Sequence, residues 1–256
     1  MKTKKLYIIA AGLSSRMGGY PKHLCVIDNE GTTNLEHTLS LATKYYDEII
    51  VVINKVLPVE YILQTMQITN KYNAIVKFIE SGKGDGHAVY EGIKTEIDVE
   101  CVTCIWGDTY FSDNIFKTVV DSKLDTNLLK VVCTKEISPY CYILENNDKI
   151  DGIYFKSEKP INETDKYLHD QSMFIINVDE YIKYFSQYMK YCDYITQSIV
   201  KTKGLEYSII KFINWCRDIA NINISTFVLP EKLDDKYAIS FNTQEELNEV
   251  KRIKRS

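Results

Sequence analysis

The sequence predicts an α/β fold with a mostly parallel, doubly wound sheet and a smaller mixed lobe. Through about residue 125, short apolar runs alternate with segments of helical period, which is typical of strand–helix–strand units. The run EIIVVI over 48–53 has no polar alternation, as expected for a strand buried on both faces. The 256 residues are 45% hydrophobic, which is ample for one such domain.

The first half supplies the parallel part of the predicted sheet. Strands are predicted at 5–11, 48–53, 74–79 and 101–106, and helices at 35–44, 59–67, 86–95 and 112–121. Ser112 or Asp113 is a suitable cap for the last helix. In sheets of this kind, ligands bind beyond the carboxyl ends of the strands.

The pattern changes after residue 125, where strand signals follow one another with turns between them. Strands are predicted at 128–134, 141–145, 150–155, 173–177 and 222–229, and helices at 178–189, 206–220 and 243–251. The clearest turn signal is Asn146-Asn147-Asp148. No low-complexity linker interrupts the chain, so we predict one domain over 1–256 with functional halves of about 1–125 and 126–256.

Composition and charge exclude several functional classes. A formal charge of -4 disfavours a nucleic-acid-binding protein. No apolar run approaches the roughly 20 residues of a membrane span, and the run 6–11 is too short for a signal peptide. Seven cysteines without a regular framework suit a cytoplasmic protein. Cys101 and Cys104 have metal-like spacing but no second pair, so we interpret them as buried thiols.

The strongest motif follows the first predicted strand. It reads AAGLSSRMG over 10–18, followed by PKHL over 21–24. A glycine loop lets backbone N–H groups approach an anion, Arg16 offers a planar fork of donors, and Lys22 adds a compact charge. The spacing fits neither a P-loop nor a dinucleotide fingerprint. The predicted triphosphate-binding residues are Ala10, Ala11, Gly12, Leu13, Ser14, Ser15, Arg16 and Lys22.

Two further segments place glycine beside a polar side chain. Gly84, Asp85, Gly86 and His87 stand at the start of a predicted helix, where glycine would let the backbone approach a flat ligand. Asp108 follows a glycine at the end of the fourth strand. Packing explains a carboxylate poorly there, whereas a hard cation would meet phosphates at such a strand end.

Together these motifs resemble the nucleotidyltransferase superfamily that makes nucleotide sugars and related compounds, including its MobA-like members. The family signature AAG-x-x-x-RMG with a following PK-x-L is present. The resemblance implies a Rossmann-like nucleotide-diphospho-sugar transferase fold, whose first half binds an NTP and whose second half binds an acceptor. It also implies that Gly12, Arg16 and Lys22 hold the triphosphate and that Asp108 binds Mg²⁺.

The stretch GKGDGHAV over 82–89 is similar to the G-T-G-H-A-V stretch of N-acetylglucosamine-1-phosphate uridylyltransferases, which contacts the base. Asp85 stands where that stretch has threonine. An acidic acceptor could read the exocyclic amine of cytosine, so both UTP and CTP remain candidates. His87 is either a base contact or a structural residue at the helix start.

Two weaker segments complete the resemblance. Glu158-Lys159-Pro160 is similar to the E-K-P segment of sugar-phosphate members, which implies that Glu158 meets acceptor hydroxyls and Lys159 the acceptor phosphate. The stretch FNTQEEL over 241–247 is similar to N-T-x-E-[ED]-L, where an Asn or Asp completes the metal site. Asn242 is therefore either a second Mg²⁺ ligand or a helix cap.

These features predict a Mg²⁺-dependent enzyme that transfers UMP or CMP from an NTP to a sugar phosphate or similar phosphorylated acceptor, with release of pyrophosphate. The predicted catalytic residues are Arg16, Lys22 and Asp108. One alternative is a CTP-dependent enzyme acting on a non-sugar phosphate. A metal-dependent glycosyltransferase would be expected to carry Asp-x-Asp rather than GDTY at 107–110, and a nucleotide-sensing protein to have lost one of the three residues.

Overall fold

The computed structural model describes residues 3–80, 83–122, 126–137, 139–147, 149–155, 157, 162, 164–199, 206–230 and 238–254. The chain forms two compact units of similar length, which interleave along the sequence. The first unit contains residues 1–82, 102–124 and 235–256, and the second contains 83–101 and 125–234. What the predicted halves 1–125 and 126–256 bind remains a prediction.

The first unit is built on parallel strands in the order β3-β2-β1-β4, and a separate antiparallel pair joins β5 to β11. Its strands are β1 (Lys5–Ala10), β2 (Glu48–Asn54), β3 (Ile75–Ile79), β4 (Cys101–Trp106), β5 (Thr109–Phe111) and β11 (Ala238–Ser240). Its helices are α1 (Asn34–Ala42), α2 (Val59–Lys71), α4 (Asp113–Asp121) and α7 (Gln244–Ile253). The side chains of β1 and β2 are almost entirely buried, as their unbroken apolar runs predict.

The second unit is a mixed sheet in the order β9-β6-β10-β8-β7, with a further pairing of β7 to β9. Its strands are β6 (Leu129–Ile137), β7 (Cys141–Asn146), β8 (Lys149–Phe155), β9 (Lys166–Asn177) and β10 (Ser225–Val228). Its helices are α3 (Asp85–Ile93), α5 (Val178–Ile199) and α6 (Ile209–Asp218). The α/β class and the mostly parallel first sheet are thus confirmed.

Three strands of the structure differ from the prediction for identifiable reasons. The ninth strand begins at Lys166 rather than at 173, because the polar stretch HDQS over 169–172 hides the apolar pattern and an irregularity interrupts its register with β6. The strands β5 and β11 were not predicted. Each has three residues and exists only through pairing with the other, so neither leaves a local signal.

All seven cysteines lie in the described residues, and none forms a disulfide there; Cys104 is buried, which raises the pKa of its thiol, and Cys101 is half-buried. Within the described ranges, no helix combines the length and apolarity that crossing a bilayer requires.

Candidate active site at the carboxyl edge of the first sheet

The loop after β1 and the turn after β4 leave the sheet at the same edge. β1 and β4 are parallel neighbours, with Ile9 opposite Trp106, and the amide of Gly107 donates to the carbonyl of Ile9 over 2.9 Å. A Cβ at Gly107 would lie 2.8 Å from the Cβ of Ala10. Glycine at 107 therefore permits the close approach that brings the turn carrying Asp108 against the end of β1.

The loop over 12–19 is a largely exposed, tightly turned segment. Ser14 adopts a left-handed conformation with φ of 50°, and its carbonyl accepts hydrogen bonds from the amides of Met17 at 2.9 Å and Gly19 at 3.1 Å. The Oγ of Ser14 accepts from the amide of Lys22 at 3.3 Å. Arg16 is exposed at this turn. The loop is thus held in shape by its own hydrogen bonds, and its role in binding a triphosphate remains a prediction.

Three predicted site residues meet around one nitrogen atom. The Nζ of Lys22 donates to Oδ2 of Asp108 and to Oδ1 of Asn242, each over 2.7 Å. The exposed fraction is 15% for the Lys22 side chain and 31% for that of Asp108. The two oxygens are therefore within about twice the hydrogen-bond distance of each other, although the residues are far apart in sequence.

The pairing of β5 with β11 places Asn242 beside Asp108. Ser240 is opposite Thr109 in this pair, and the amide of Phe241 donates to the carbonyl of Asp108 at 3.0 Å. The side chains of Thr109 and Ser240 are also hydrogen-bonded at 2.8 Å. A short strand pair thus aligns the carboxyl end of the chain with the turn after β4.

The residue after Asn242, Thr243, is the one that caps α7. The side chain of Thr243 accepts from the amide of Glu246, and the side chain of Glu246 accepts from the amide of Thr243, which forms a capping box at the start of α7. Thr243 is therefore the capping residue, and the side-chain oxygen of Asn242 is directed to Lys22.

Residues of α1 that the sequence did not single out hold the Asp108 turn. The Nδ2 of Asn34, a residue 1% exposed, donates to the carbonyls of Gly107 and Thr109 at 3.1 Å each. The Nε2 of His37 lies 2.9 Å from the carbonyl of Phe111. Two carbonyls flanking Asp108 are thus fixed by one buried amide. The only sequence signal was a polar residue at a helix start, which more often indicates a cap.

His23 anchors the turn that carries Lys22. Its ring is buried, and Nε2 lies 3.0 Å from Oγ1 of Thr65 in α2. Burial lowers the pKa of His23 to about 4, so the ring is neutral near pH 7. This residue was predicted only as part of the PKHL motif, and its role is to fix the backbone next to Lys22.

Other parts of the second unit pack tightly against its predicted base-binding glycines. Gly84 has φ of 103°, and a Cβ there would lie 2.8 Å from backbone atoms of Tyr207. A Cβ at Gly86 would lie 2.8 Å from the ring of Phe185 and 2.9 Å from the amide nitrogen of Ile209. Close packing against 207–209 and the ring of Phe185 therefore accounts for glycine at both positions. A contact between these glycines and a nucleotide base remains a prediction.

Asp85 likewise has a structural role, because its side chain accepts hydrogen bonds from backbone amides. Its Oδ1 accepts from the amides of Gly86 at 2.6 Å and Ile209 at 2.9 Å, which ties the start of α3 to the start of α6. Although Asp85 as a residue is exposed, dense surroundings desolvate the carboxylate and raise its pKa, and the hydrogen bonds oppose that shift. A contact between Asp85 and cytosine remains a prediction that would have to coexist with this structural role.

His87 is 8% exposed, and its Nδ1 has no hydrogen-bond partner within the described part of the chain. Burial lowers the pKa of the ring, and Oε1 of Glu91 is 4.0 Å from Nε2. Both roles predicted for His87 are compatible with this geometry. The predicted acceptor residues Glu158 and Lys159 lie outside the described residues.

Solved structures with the same fold span nearly the whole chain. An inositol-1-phosphate CTP transferase from T. maritima superposes with a TM-score of 0.67 at 15% identity, covering 98% of this chain and 96% of its own. A putative glucose-1-phosphate thymidylyltransferase from Bacillus anthracis gives 0.67 at 16%, covering 99% and 95%. A 4-diphosphocytidyl-2C-methyl-D-erythritol synthase from Anaerococcus prevotii gives 0.62 at 17%, covering 100% and 99%. These likenesses show the fold.

Among curated proteins, no relative matches the chain. The family model of the MobA-like NTP transferase domain matches residues 6–141, which is more than half of the chain and includes the opening loop, Lys22, residues 84–87 and Asp108. The chain therefore belongs to the MobA-like NTP transferase domain family and is a nucleotidyltransferase.

Proposed function

We propose that the protein transfers UMP or CMP from an NTP to a sugar phosphate or similar small phosphorylated acceptor and releases pyrophosphate. The observation that carries the proposal is the meeting of Lys22, Asp108 and Asn242. They meet at the sheet edge from which the exposed loop bearing Arg16 also leaves. Cations and hard oxygen ligands at one edge suit a polyanionic nucleotide better than an apolar substrate.

The reaction needs positioning and countercharge rather than a protein nucleophile. An oxygen of the acceptor phosphate attacks the α-phosphorus, the bond to the bridging oxygen of the β-phosphate breaks, and pyrophosphate leaves. Both reactants are already anionic, so the enzyme has to overcome their repulsion. Arg16 and Lys22 would stabilise the charge that accumulates on the leaving pyrophosphate.

Asp108 and Asn242 fit a divalent cation such as Mg²⁺. Mg²⁺ uses oxygen ligands, commonly one or two protein groups completed by water and substrate phosphates. Among the residues that the structure describes, no cluster of three or more His, Cys, Asp or Glu side chains forms a metal site. The pair of one carboxylate and one amide oxygen suits that substrate-completed mode. A bound cation would supply charge neutralisation on the triphosphate.

The names of the structural neighbours favour a related second candidate. Two of them are named for CTP or diphosphocytidyl chemistry on an inositol or erythritol derivative, and one for thymidylyl transfer to glucose-1-phosphate. A CTP-dependent enzyme acting on a non-sugar phosphate, such as an alditol or amino alcohol phosphate, therefore stands beside the sugar-phosphate proposal. The two differ in acceptor and base, and share the phosphate site.

A pyrophosphate-release screen tests the proposal. Each of UTP, CTP, dTTP, ATP and GTP is incubated with Mg²⁺ and a panel of hexose-1-phosphates, inositol phosphates, alditol phosphates and amino alcohol phosphates. We expect release with UTP or CTP and one acceptor class only, and loss of release on addition of a chelator. Release with purine nucleotides alone would contradict the base assignment, and no release with any pair would contradict the acceptor class.

A further inference from the structure

The ammonium of Lys22 occupies the point at which the two proposed cation ligands converge. Its Nζ lies 2.7 Å from Oδ2 of Asp108 and 2.7 Å from Oδ1 of Asn242, and its side chain is 15% exposed. Contacts of this length are strong, charge-assisted hydrogen bonds in the case of the carboxylate. The lysine thus acts as a cation already bound by the two oxygens.

A divalent cation and this ammonium exclude each other. Mg²⁺ lies about 2.1 Å from its oxygen ligands. A cation bound by both oxygens would therefore fall within a few ångströms of Nζ, where like charges in a partly desolvated site repel strongly. Removing the ammonium from the pair would at the same time cost two short hydrogen bonds.

The local structure lets the side chain of Lys22 exchange one anionic partner for another while its backbone stays in place. The amide of Lys22 donates to Oγ of Ser14, and its carbonyl accepts from the amide of Cys25 at 3.0 Å. The neighbouring His23 is buried. Because the backbone of Lys22 is hydrogen-bonded to the opening loop, its four-carbon stem can move from Asp108 toward an anion held by that loop without a change in the fold.

We propose that Lys22 is a built-in competitor of the divalent cation at Asp108 and Asn242. Metal alone binds weakly because it has to displace the ammonium. The triphosphate removes the competition by offering Lys22 another anionic partner, so the cation enters together with the nucleotide. This inference rests on the proposed function for its use of Asp108 and Asn242, but it concerns metal binding without substrate and can fail independently.

The test is Mn²⁺ binding to the nucleotide-free protein, measured by isothermal titration calorimetry and by the EPR signal of free Mn²⁺. The variants are Lys22→Met, and as matched control Lys44→Met, because Lys44 also pairs with a carboxylate of the first unit, Asp113, at 3.0 Å. We expect Lys22→Met to bind Mn²⁺ about tenfold more tightly than the wild type, or more, and Lys44→Met to bind it as the wild type does.

A double variant assigns the binding to the proposed oxygens. Asp108→Asn in the Lys22→Met background is expected to abolish the gain in Mn²⁺ affinity. Thermal unfolding gives a second readout, because a ligand that binds the native state raises the melting temperature. Mn²⁺ should raise it for Lys22→Met and much less for the wild type. Equal Mn²⁺ affinity in Lys22→Met and wild type, with both folded, would overturn the proposal even if nucleotidyl transfer is demonstrated.

Discussion

Two groups of site residues were predicted from the same family resemblance, and the structure uses them differently. At the edge of the first sheet, Asp108 and Asn242 direct side-chain oxygens to a single cationic group. In the second unit, Gly84, Gly86 and Asp85 are engaged by the backbone of 207–209 and by an aromatic ring. A carboxylate held by a lysine can be released to a ligand, whereas glycines filled by neighbouring backbone are fixed by packing. The comparison separates residues that we propose as ligands from residues that are held by packing.

The largest effect that sharpens this contrast is expected for Asp108→Ala. Loss of a charge-stabilising contact commonly costs on the order of 10²-fold in turnover, and we expect at least that loss in metal-dependent pyrophosphate release. The control is Asp113→Ala, which removes an exposed carboxylate paired with Lys44 and Tyr45 and should retain near-normal turnover. Near-normal turnover of Asp108→Ala would remove this residue from the active site.

Gly84→Ala in the second unit and Gly12→Ala in the opening loop of the first unit form a matched pair. At Gly84 a Cβ would clash with the backbone of Tyr207, and φ is 103°, so we expect the free energy of unfolding to fall by about 3 kcal/mol. At Gly12 a Cβ would meet nothing within 4 Å. That change should alter stability by less than about 0.5 kcal/mol and raise the KM for nucleotide. Denaturant titration measures the stability of both variants, and steady-state kinetics measures their KM. Equal stability of Gly84→Ala and Gly12→Ala would contradict the conclusion that Gly84 is required by packing.

Asn34→Leu tests whether the turn after β4 is positioned from α1. The substitution removes the donor to the carbonyls of Gly107 and Thr109, and we expect a loss of about 2 kcal/mol in unfolding free energy. It should also weaken Mn²⁺ binding in the Lys22→Met background by about threefold to tenfold, because Asp108 is no longer fixed. A change in stability with unchanged Mn²⁺ affinity would assign Asn34 to folding alone.

The smallest effect is expected for Asp85→Asn. Asparagine keeps an Oδ1 acceptor for the amides of Gly86 and Ile209, so the free energy of unfolding should change by less than about 1 kcal/mol. If Asp85 has only this structural role, the ratio of kcat/KM for CTP and UTP should stay within about twofold. A larger shift of that ratio would show that Asp85 reads the base in addition to supporting α6.

Most of the fold could be predicted because its signals are local. The apolar run 48–53 and the strand predicted at 101–106 agree with β2 and β4 within one residue, since a strand buried on both faces has little room for polar residues. The family motif around Arg16 and Lys22 was equally clear, because its glycines and cations lie within a dozen residues. The capping box at Thr243 and Glu246 is also a local pattern, although the cap proposed from the sequence was Asn242.

The sequence by itself thus determined the α/β class, the opening loop and the identity of the candidate ligands Asp108 and Asn242. Only the tertiary structure decided that Lys22 lies between those two ligands, that Asn34 supports the turn, and that Gly84 and Gly86 are packing glycines. The reason is that residue types report local preference, whereas the partner of a side chain depends on pairing between distant segments. The strands β5 and β11, each of three residues, create the Asp108–Asn242 neighbourhood and leave no pattern of their own.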